Sequence, residues 1–202
     1  MKNGNLRIKE NRETFFKRFA GIDSNDLFLL EFAYDMAKEA HGYMKQVRFE
    51  HVRSVAIILV DEFGVKDINI IIPALFHDMP KNTFIWKVAG RITHIFGKEI
   101  GERSHVLAKP DKVKFRNDKE KMLRFYFNQI ELSGPKTCLI EVADRIHNLR
   151  SMVSGRWDVD RMEIYCQETN LYFPDVITVI EGYESHLALL AKKKLDAEMK
   201  MA

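Results

Sequence analysis

The chain has 202 residues, enough to bury a substantial hydrophobic core, and its 46% hydrophobic and 30% charged residues exclude an intrinsically disordered protein. A net charge of only +3 gives no indication of nucleic-acid binding. No window approaches the roughly 18 apolar residues of a membrane span, and the N-terminal MKNGNLRIKE lacks the apolar core of a signal peptide. We therefore expect a cytoplasmic protein with no membrane and no nucleic-acid partner.

Apolar residues recur at helical spacing along the chain, which predicts an all-α protein. The first predicted helix can be capped by Ser24 or Asp26 and carries apolar residues as far as Ala40. The third follows Asp67 and is apolar on all sides, which indicates a buried central helix, although residues 68–72 would also fit a buried strand. The predicted helices cover 27–40, 51–63, 68–77, 98–108, 118–131, 137–152, 161–172 and 175–198.

No composition break and no internal repeat divides the chain, so we predict a single domain over residues 1–202. Its core is expected over about 26–190, with 1–23 as an N-terminal extension and 191–202 as the end of a C-terminal helix. The charged segment 109–121 is predicted to be an exposed loop that enters a helix, although its excess of positive charge could also screen a polyphosphate substrate at the mouth of a site. Four prolines fall at predicted joins between helices, where proline is tolerated: Pro80, Pro110, Pro135 and Pro174.

Two histidines and two aspartates stand where the helical pattern places them close to the core. His77 and Asp78 end the apolar third helix, His51 begins the second, and Asp144 has buried-looking neighbours within 137–152. An isolated His-Asp pair is more often structural, but a buried carboxylate needs compensation, which a metal ion supplies. Two imidazoles and two carboxylates suit Mn²⁺, Fe²⁺, Zn²⁺ or Ni²⁺, and such an ion generates hydroxide near neutral pH.

The order of these residues resembles the HD phosphohydrolase pattern, and more specifically the hydrolase domain of RelA/SpoT-type alarmone enzymes and the small alarmone hydrolases. The resemblance covers about residues 26–190. It implies an all-α HD-domain helical bundle and one divalent metal, usually Mn²⁺, held by His51, His77, Asp78 and Asp144. It also implies removal of the 3′-pyrophosphate from guanosine tetra- or pentaphosphate. The matching segments are ALFHD at 74–78, FGKEI at 96–100, VADRIHNLRS at 142–151 and ET-x-LYFP at 168–174.

The same resemblance suggests residues that contact the nucleotide. Asn148 and Ser151 match positions that contact nucleotide in relatives, although both residue types often form local hydrogen bonds on helices. Tyr172 could close over a sugar or base, or belong to the core between two apolar neighbours. Lys45 or Arg48 could meet a base or a phosphate. His147 is expected to support a metal ligand or to pack, because this position is not a ligand in the family.

Two features depart from the family pattern. The sequence after the His-Asp pair is normally x-x-Glu-Asp-Thr, but here Lys81 and Asn82 replace the two carboxylates, and only Thr83 is kept. Those carboxylates are thought to orient water and handle its proton, which a charged lysine and an asparagine cannot do. The loop before His51 is also shorter than in the family and lacks its Gly-x-Pro-Tyr part, which helps to hold the guanine base.

Three functions follow from these observations. The first is a metal-dependent phosphohydrolase that acts on a small-molecule alarmone nucleotide, with Lys81, Arg145 or Arg150 assisting electrostatically. The second is a catalytically weak or silent HD protein that binds nucleotide and regulates a partner, which the change to Lys81 and Asn82 favours. The third is a phosphatase for another nucleotide, which would explain the altered base-binding loop.

Overall fold

The computed structural model describes residues 10–42, 47–79, 89–153 and 157–202. These ranges contain ten α-helices and no β-strand, which confirms the predicted all-α class. The helices are α1 (Arg12–Lys17), α2 (Ser24–Gly42), α3 (Val47–Phe63), α4 (Ile68–Phe76), α5 (Ala89–Phe96), α6 (Lys98–Leu107), α7 (Lys119–Leu132), α8 (Pro135–Val153), α9 (Val159–Glu181) and α10 (Ser185–Met199). A short 3-10 helix, Lys112–Phe115, lies between α6 and α7.

Local sequence signals set several helix ends. The side chain of Asp67 accepts a hydrogen bond of 2.9 Å from the backbone N–H of Asn69 and caps α4, as predicted. Asp118 and Asp158 cap α7 and α9 in the same way. Gly64 follows α3 with a φ of +71°, a left-handed conformation that glycine adopts without strain. The predicted end of the second helix at Gly64 and the predicted start of the third at Asp67 are therefore confirmed.

The predicted helix break at Pro174 is wrong. Pro174 lies inside α9, which continues to Glu181. A proline removes one backbone hydrogen bond, but Phe173, Val176 and Ile180 are all buried on the same helix, and this packing outweighs the loss. The predicted helix over 175–198 consists in fact of the end of α9 and of α10, separated by a turn.

The hydrophobic core extends beyond the expected limits. Phe15 and Phe19, within and just after α1, are buried although they lie in the expected N-terminal extension, and Phe15 packs against both Phe19 and Tyr34. Leu195 near the C-terminus is also buried. A short helix such as α1 has too few residues for a clear apolar period, which is why periodicity did not predict it.

The two most central helices are α8 and α4. Helix α8 contacts α3, α4, α6, α7, α9 and α10, and α4 contacts α2, α3 and α6 as well. Eight of the nine residues of α4 are buried, which confirms the predicted central helix and rules out the strand alternative. Within the described ranges, no helix has the length and apolar character needed to cross a membrane. The contacts among α3, α4 and α8 bring three of the four predicted metal ligands together.

Candidate metal centre

Three side chains from three helices converge on one point. His51 lies near the start of α3, His77 follows the last residue of α4, and Asp144 lies in the middle of α8. Nε2 of His51 is 3.1 Å from Nε2 of His77 and 3.0 Å from Oδ1 of Asp144, and Nε2 of His77 is 3.5 Å from that oxygen. Two ligand atoms each about 2.1 Å from one ion lie about 3.0–3.4 Å apart, so this spacing fits a shared divalent metal. We call these residues the ligand cluster.

Hydrogen bonds behind the ligand cluster orient its members. Nδ1 of His77 lies 2.7 Å from the carbonyl oxygen of Ala74 and donates to it, which directs Nε2 toward the other members of the ligand cluster. The side-chain amide of Asn148 donates a 2.8 Å hydrogen bond to Oδ1 of Asp144. Ring orientation is thus fixed by the fold, as in metal sites whose outer partners hold the ligands in place.

His147 contacts His51, one of the three residues of the ligand cluster. Its Nδ1 lies 2.8 Å from Nδ1 of His51, on the opposite side of that ring from Nε2. Burial, together with the neighbouring His51, lowers the pKa of His147 to about 4. The ring of His147 is therefore neutral near pH 7, and the tautomers of the two rings decide which Nδ1 donates the hydrogen bond between them. The role of His147, as support for a metal ligand or as a packing residue, stays a prediction.

The charges of the ligand cluster suit a cation. Burial alone would raise the pKa of Asp144, but Lys109 and the two histidines outweigh burial and hold that pKa well below its ordinary value. Burial alone would lower the pKa of His77, but the hydrogen bond and charge of Asp144 outweigh burial and raise the pKa to about 9. A buried carboxylate that stays ionised and attracts positive charge is the environment in which a divalent ion binds.

Asp78, the predicted fourth ligand, follows His77 but has an exposed side chain. The ligand cluster, whose atoms all lie within 4.8 Å of one another, comprises His51, His77 and Asp144 in the described part of the chain. The role of Asp78 as a metal ligand therefore stays a prediction.

The residues predicted to contact the nucleotide differ in how close they lie to the ligand cluster. Asn148 lies against the ligand cluster, whereas the hydroxyl of Ser151 donates to the carbonyl oxygen of His147 at 2.8 Å, a local helical bond. Tyr172 is 9% exposed and stacks on Phe127 with ring centroids 4.6 Å apart, so the structure favours its core alternative. Four of the predicted site residues lie outside the described residues: Lys45, Lys81, Asn82 and Thr83. The side chain of Arg48 is also outside them.

Arg145 and Arg150, the two arginines predicted to assist the reaction electrostatically, differ in their contacts with carboxylates. Arg150 is engaged by Glu62 at 2.5 and 3.0 Å and by Glu198 at 2.7 Å, which ties α8 to α3 and α10. Arg145 is 2% exposed and faces Thr169 and the Tyr165 ring. Arg150 is therefore committed to helix packing, whereas Arg145 pairs with no carboxylate in the part of the chain that the structure describes.

Sequence reasoning did not place Lys109 beside a metal ligand and considered it only as one of several basic residues that could lie at the mouth of a site. Its ammonium nitrogen lies 3.6 Å from Oδ2 of Asp144, although the sequence placed it in an exposed loop. No local pattern marks this lysine, because its position depends on how the segment after α6 returns to α8. Beside Lys109 lies a cavity of about 400 Å³, lined by residues of α7, α8 and α9.

Comparison with known proteins identifies several relatives. No family model matches the chain. It is 30% identical over 148 residues to the bifunctional (p)ppGpp synthase/hydrolase SpoT of Escherichia coli K12, and to the guanosine-3′,5′-bis(diphosphate) 3′-pyrophosphohydrolase of E. coli O157:H7. It is 31% identical over 153 residues to the GTP pyrophosphokinase rsh of Brucella ovis. These matches cover 70–72% of the chain but only 20% of each relative, so the chain spans about a fifth of their length.

A solved structure has the same fold. It is a metazoan orthologue of SpoT, described as hydrolysing ppGpp and as playing a role in starvation responses. The match has a TM-score of 0.63 at 20% identity and covers 89% of this chain and 96% of the other. At that identity the match establishes the fold alone.

The helical bundle and its histidine–aspartate cluster define an HD-domain protein. Together with the sequence relatives, they show that the chain belongs to the RelA/SpoT-type family, which confirms the resemblance carried by its motifs.

Proposed function

We propose that the chain is a metal-dependent phosphohydrolase that removes the 3′-pyrophosphate from guanosine 3′,5′-bis(diphosphate) or a related alarmone nucleotide. The observation that carries the proposal is the convergence of His51, His77 and Asp144 at 3.0–3.5 Å in a chain with relatives described as hydrolysing this nucleotide. The relatives supply the substrate class, and the ligand cluster supplies the place where the chemistry occurs.

The ligand cluster would hold one divalent ion, with Asp78 as the proposed fourth ligand. We propose Mn²⁺, because oxygen and imidazole ligands together suit this ion and the family resemblance implies it. The ion would stabilise charge on phosphoryl oxygens and make hydroxide available near neutral pH. The chain itself orients the ligands: the backbone of Ala74 fixes His77, and Asn148 holds Asp144 in place.

Two cationic residues near the ligand cluster would attract the anionic phosphates of the substrate. Lys109 carries a positive charge within 3.6 Å of Asp144, and Arg145 lies one residue further along α8. Both can attract and orient an anionic phosphate near the ligand cluster. Lys81 and Asn82 replace the usual carboxylates, so the expected turnover is slow.

Several parts of the proposal rest on the sequence. Nucleotide contacts by Lys45, Arg48, Thr83, Asn148 and Ser151 stay predictions of the family resemblance. The organisation of residues 1–202 as one domain and a cytoplasmic location also stay predictions.

A second function is favoured by the same replacement at Lys81 and Asn82. Without a carboxylate to handle the proton of the attacking water, the chain could bind an alarmone and regulate a partner without hydrolysing it. The metal ligands do not separate these two functions, because a metal centre is able to bind a phosphate whether or not turnover follows.

One assay separates the possibilities. Purified protein with added Mn²⁺ is incubated with ppGpp, pppGpp and their adenosine counterparts, and the release of pyrophosphate is measured. Asp144→Asn serves as the inactive variant, and Asp196→Asn, an exposed aspartate on α10, is the matched control. We expect release from the guanosine nucleotides that is lost only with Asp144→Asn. Binding without release in the wild-type chain would favour the regulatory function, and release from adenosine nucleotides alone would reject the guanosine alarmone as substrate.

A further inference from the structure

The two carboxylate oxygens of Asp144 face different groups. Oδ1 lies 3.0 Å from Nε2 of His51 and 3.5 Å from Nε2 of His77, so it points into the ligand cluster. Oδ2 lies 3.6 Å from the ammonium nitrogen of Lys109, which comes from the segment after α6. A divalent ion in the ligand cluster and the ammonium of Lys109 therefore depend on the same carboxylate.

The positive charge of Lys109 is fixed by its surroundings. Burial alone would lower the pKa of Lys109, but the charges of Asp144 and Glu141 outweigh burial and raise that pKa. The side chain therefore stays protonated near pH 7 and forms an ion pair with Asp144. Because like charges repel, an ammonium group at this distance from a ligand oxygen weakens the attraction of the ligand cluster for a second cation.

Glu141 is a buried carboxylate with one oxygen unused. It is 1% exposed and lies three residues before Asp144 on α8, so the two side chains project from the same face of the helix. The hydroxyl of Tyr126 donates a 2.7 Å hydrogen bond to Oε2, whereas buried Oε1 accepts no hydrogen bond from the described residues. An unpaired buried carboxylate oxygen costs free energy, so Glu141 is suited to accept a nearby ammonium.

The side chain of Lys109 is able to reach either carboxylate. Its ammonium nitrogen lies 5.8 Å from the ring centroid of Tyr126, and the hydroxyl of the same ring holds Glu141. Residues three apart on a helix are separated by about 4.5 Å along its axis. Lysine has a flexible four-carbon stem, and 45% of this side chain is exposed, so packing does not lock the stem in one position.

We propose that Lys109 competes with the divalent metal for Asp144, and that its ammonium moves to Glu141 when the metal binds. Because this exchange requires a metal in the ligand cluster, it rests on the proposed function. Metal binding has to break the ion pair between Lys109 and Asp144, so the affinity is lower than the ligands alone would give. Occupancy of the ligand cluster then follows the concentration of free divalent metal.

Calorimetric titration with Mn²⁺ tests the competition without turnover. Lys109→Met removes the ammonium and keeps an unbranched stem, and we expect it to bind Mn²⁺ about tenfold or more tightly than the wild type. Lys109→Arg keeps the positive charge, so its affinity should stay at or below that of the wild type. Lys193→Met is the matched control, because Lys193 is exposed on α10, and it should leave the affinity nearly unchanged.

Three results of this titration would overturn the competition. The first is an equal affinity of Lys109→Met, Lys193→Met and the wild type. The second is weaker binding by Lys109→Met, because Lys109 would then support its ligand instead of competing with the metal. The third is a gain in Lys109→Arg as large as that in Lys109→Met, because the loss of charge would not be its cause.

Glu141→Gln tests where the ammonium moves. Glutamine has a similar shape and can still accept the hydrogen bond from Tyr126, but it cannot neutralise Lys109. We expect Mn²⁺ binding about tenfold weaker than in the wild type, and little effect of the same change in a Lys109→Met background. An equal loss in both backgrounds would overturn the role of Glu141 as the acceptor. If Glu141→Gln does not fold, the variants of the partly exposed Lys109 decide the test.

The same proteins separate this competition from the proposed function. Tighter Mn²⁺ binding by Lys109→Met in a chain that does not hydrolyse ppGpp would support the competition and reject the phosphohydrolase. Mn²⁺-dependent hydrolysis of ppGpp, with an affinity for Mn²⁺ that Lys109→Met leaves unchanged, would support the phosphohydrolase and reject the competition. A chain that binds Mn²⁺ in none of these variants would reject both.

Discussion

Asp144→Asn is the change that tests the metal centre most directly. The carboxylate of Asp144 is 2% exposed, and one of its oxygens lies 3.0 and 3.5 Å from the two ligand histidines. Asparagine has almost the same shape and still hydrogen-bonds to its neighbours, so the packing of α8 should survive. The negative charge that a divalent ion requires is lost, so metal binding should fail while the protein stays folded.

The expected size of the effect follows from binding linkage. Free metal at 100 times its dissociation constant stabilises the folded protein by about 2.7 kcal/mol. For a chain of 202 residues this raises Tm by about 5–11 °C. Loss of a direct ligand should cost at least the upper end of the about 10–100-fold typical of an outer partner. At 100-fold weaker binding the same metal concentration contributes about 0.4 kcal/mol, or about 1–2 °C.

Thermal unfolding with Mn²⁺ and with chelator measures this difference, and elemental analysis should find about one equivalent of metal in the wild type and almost none in the variant. Asp196→Asn removes the same charge from an exposed site and should keep the full rise in Tm. A rise in Asp144→Asn equal to that of the wild type would show that Asp144 is not a ligand. A wild-type protein with neither bound metal nor a rise in Tm would reject the metal centre altogether.

Three further predictions concern the reaction, the ligand cluster and the fold. The double change Lys81→Glu with Asn82→Asp should raise initial rates of ppGpp turnover at least several-fold, because a positioned acid or base commonly contributes about 10²–10⁴ in rate. His147→Leu should weaken metal binding about 10–100-fold in a competition titration, because it removes the partner 2.8 Å from a ligand histidine, and His147→Gln should recover part of the loss. Gly101→Ala should lower the free energy of unfolding in urea by about 1–3 kcal/mol, because the added Cβ would lie 2.8 Å from Cα of Thr93.

Each of these predictions has a clear contrary result. A double variant with no gain, despite bound metal and nucleotide, would indicate another base or another substrate. Unchanged metal affinity in His147→Leu would show that its contact with His51 does not position the ligand. For the glycine, Gly182→Ala is the control, because its Cβ would meet only carbonyl oxygens at 3.7 and 3.9 Å. Equal stability of both variants would show that α5 shifts freely against α6.

The sequence by itself determined the elements that depend on neighbouring residues. The apolar run at 68–76 predicts a buried helix, and Asp67 and Gly64 mark its start and the end of the helix before it. These features depend on spacing within a few turns and on backbone conformation, which are local properties. The order of His51, His77 and Asp144 indicated the ligand cluster only through the family resemblance, because spacing along a chain does not place residues of different helices together.

Tertiary packing alone decided the rest. Lys109 lies beside Asp144 because the segment after α6 returns to α8, and Tyr172 belongs to the core because its ring stacks on Phe127 of α7. Helix α9 passes through Pro174 because burial of the residues around it outweighs one lost backbone bond. In each case the deciding free energy comes from contacts between residues far apart in sequence, which no local pattern records.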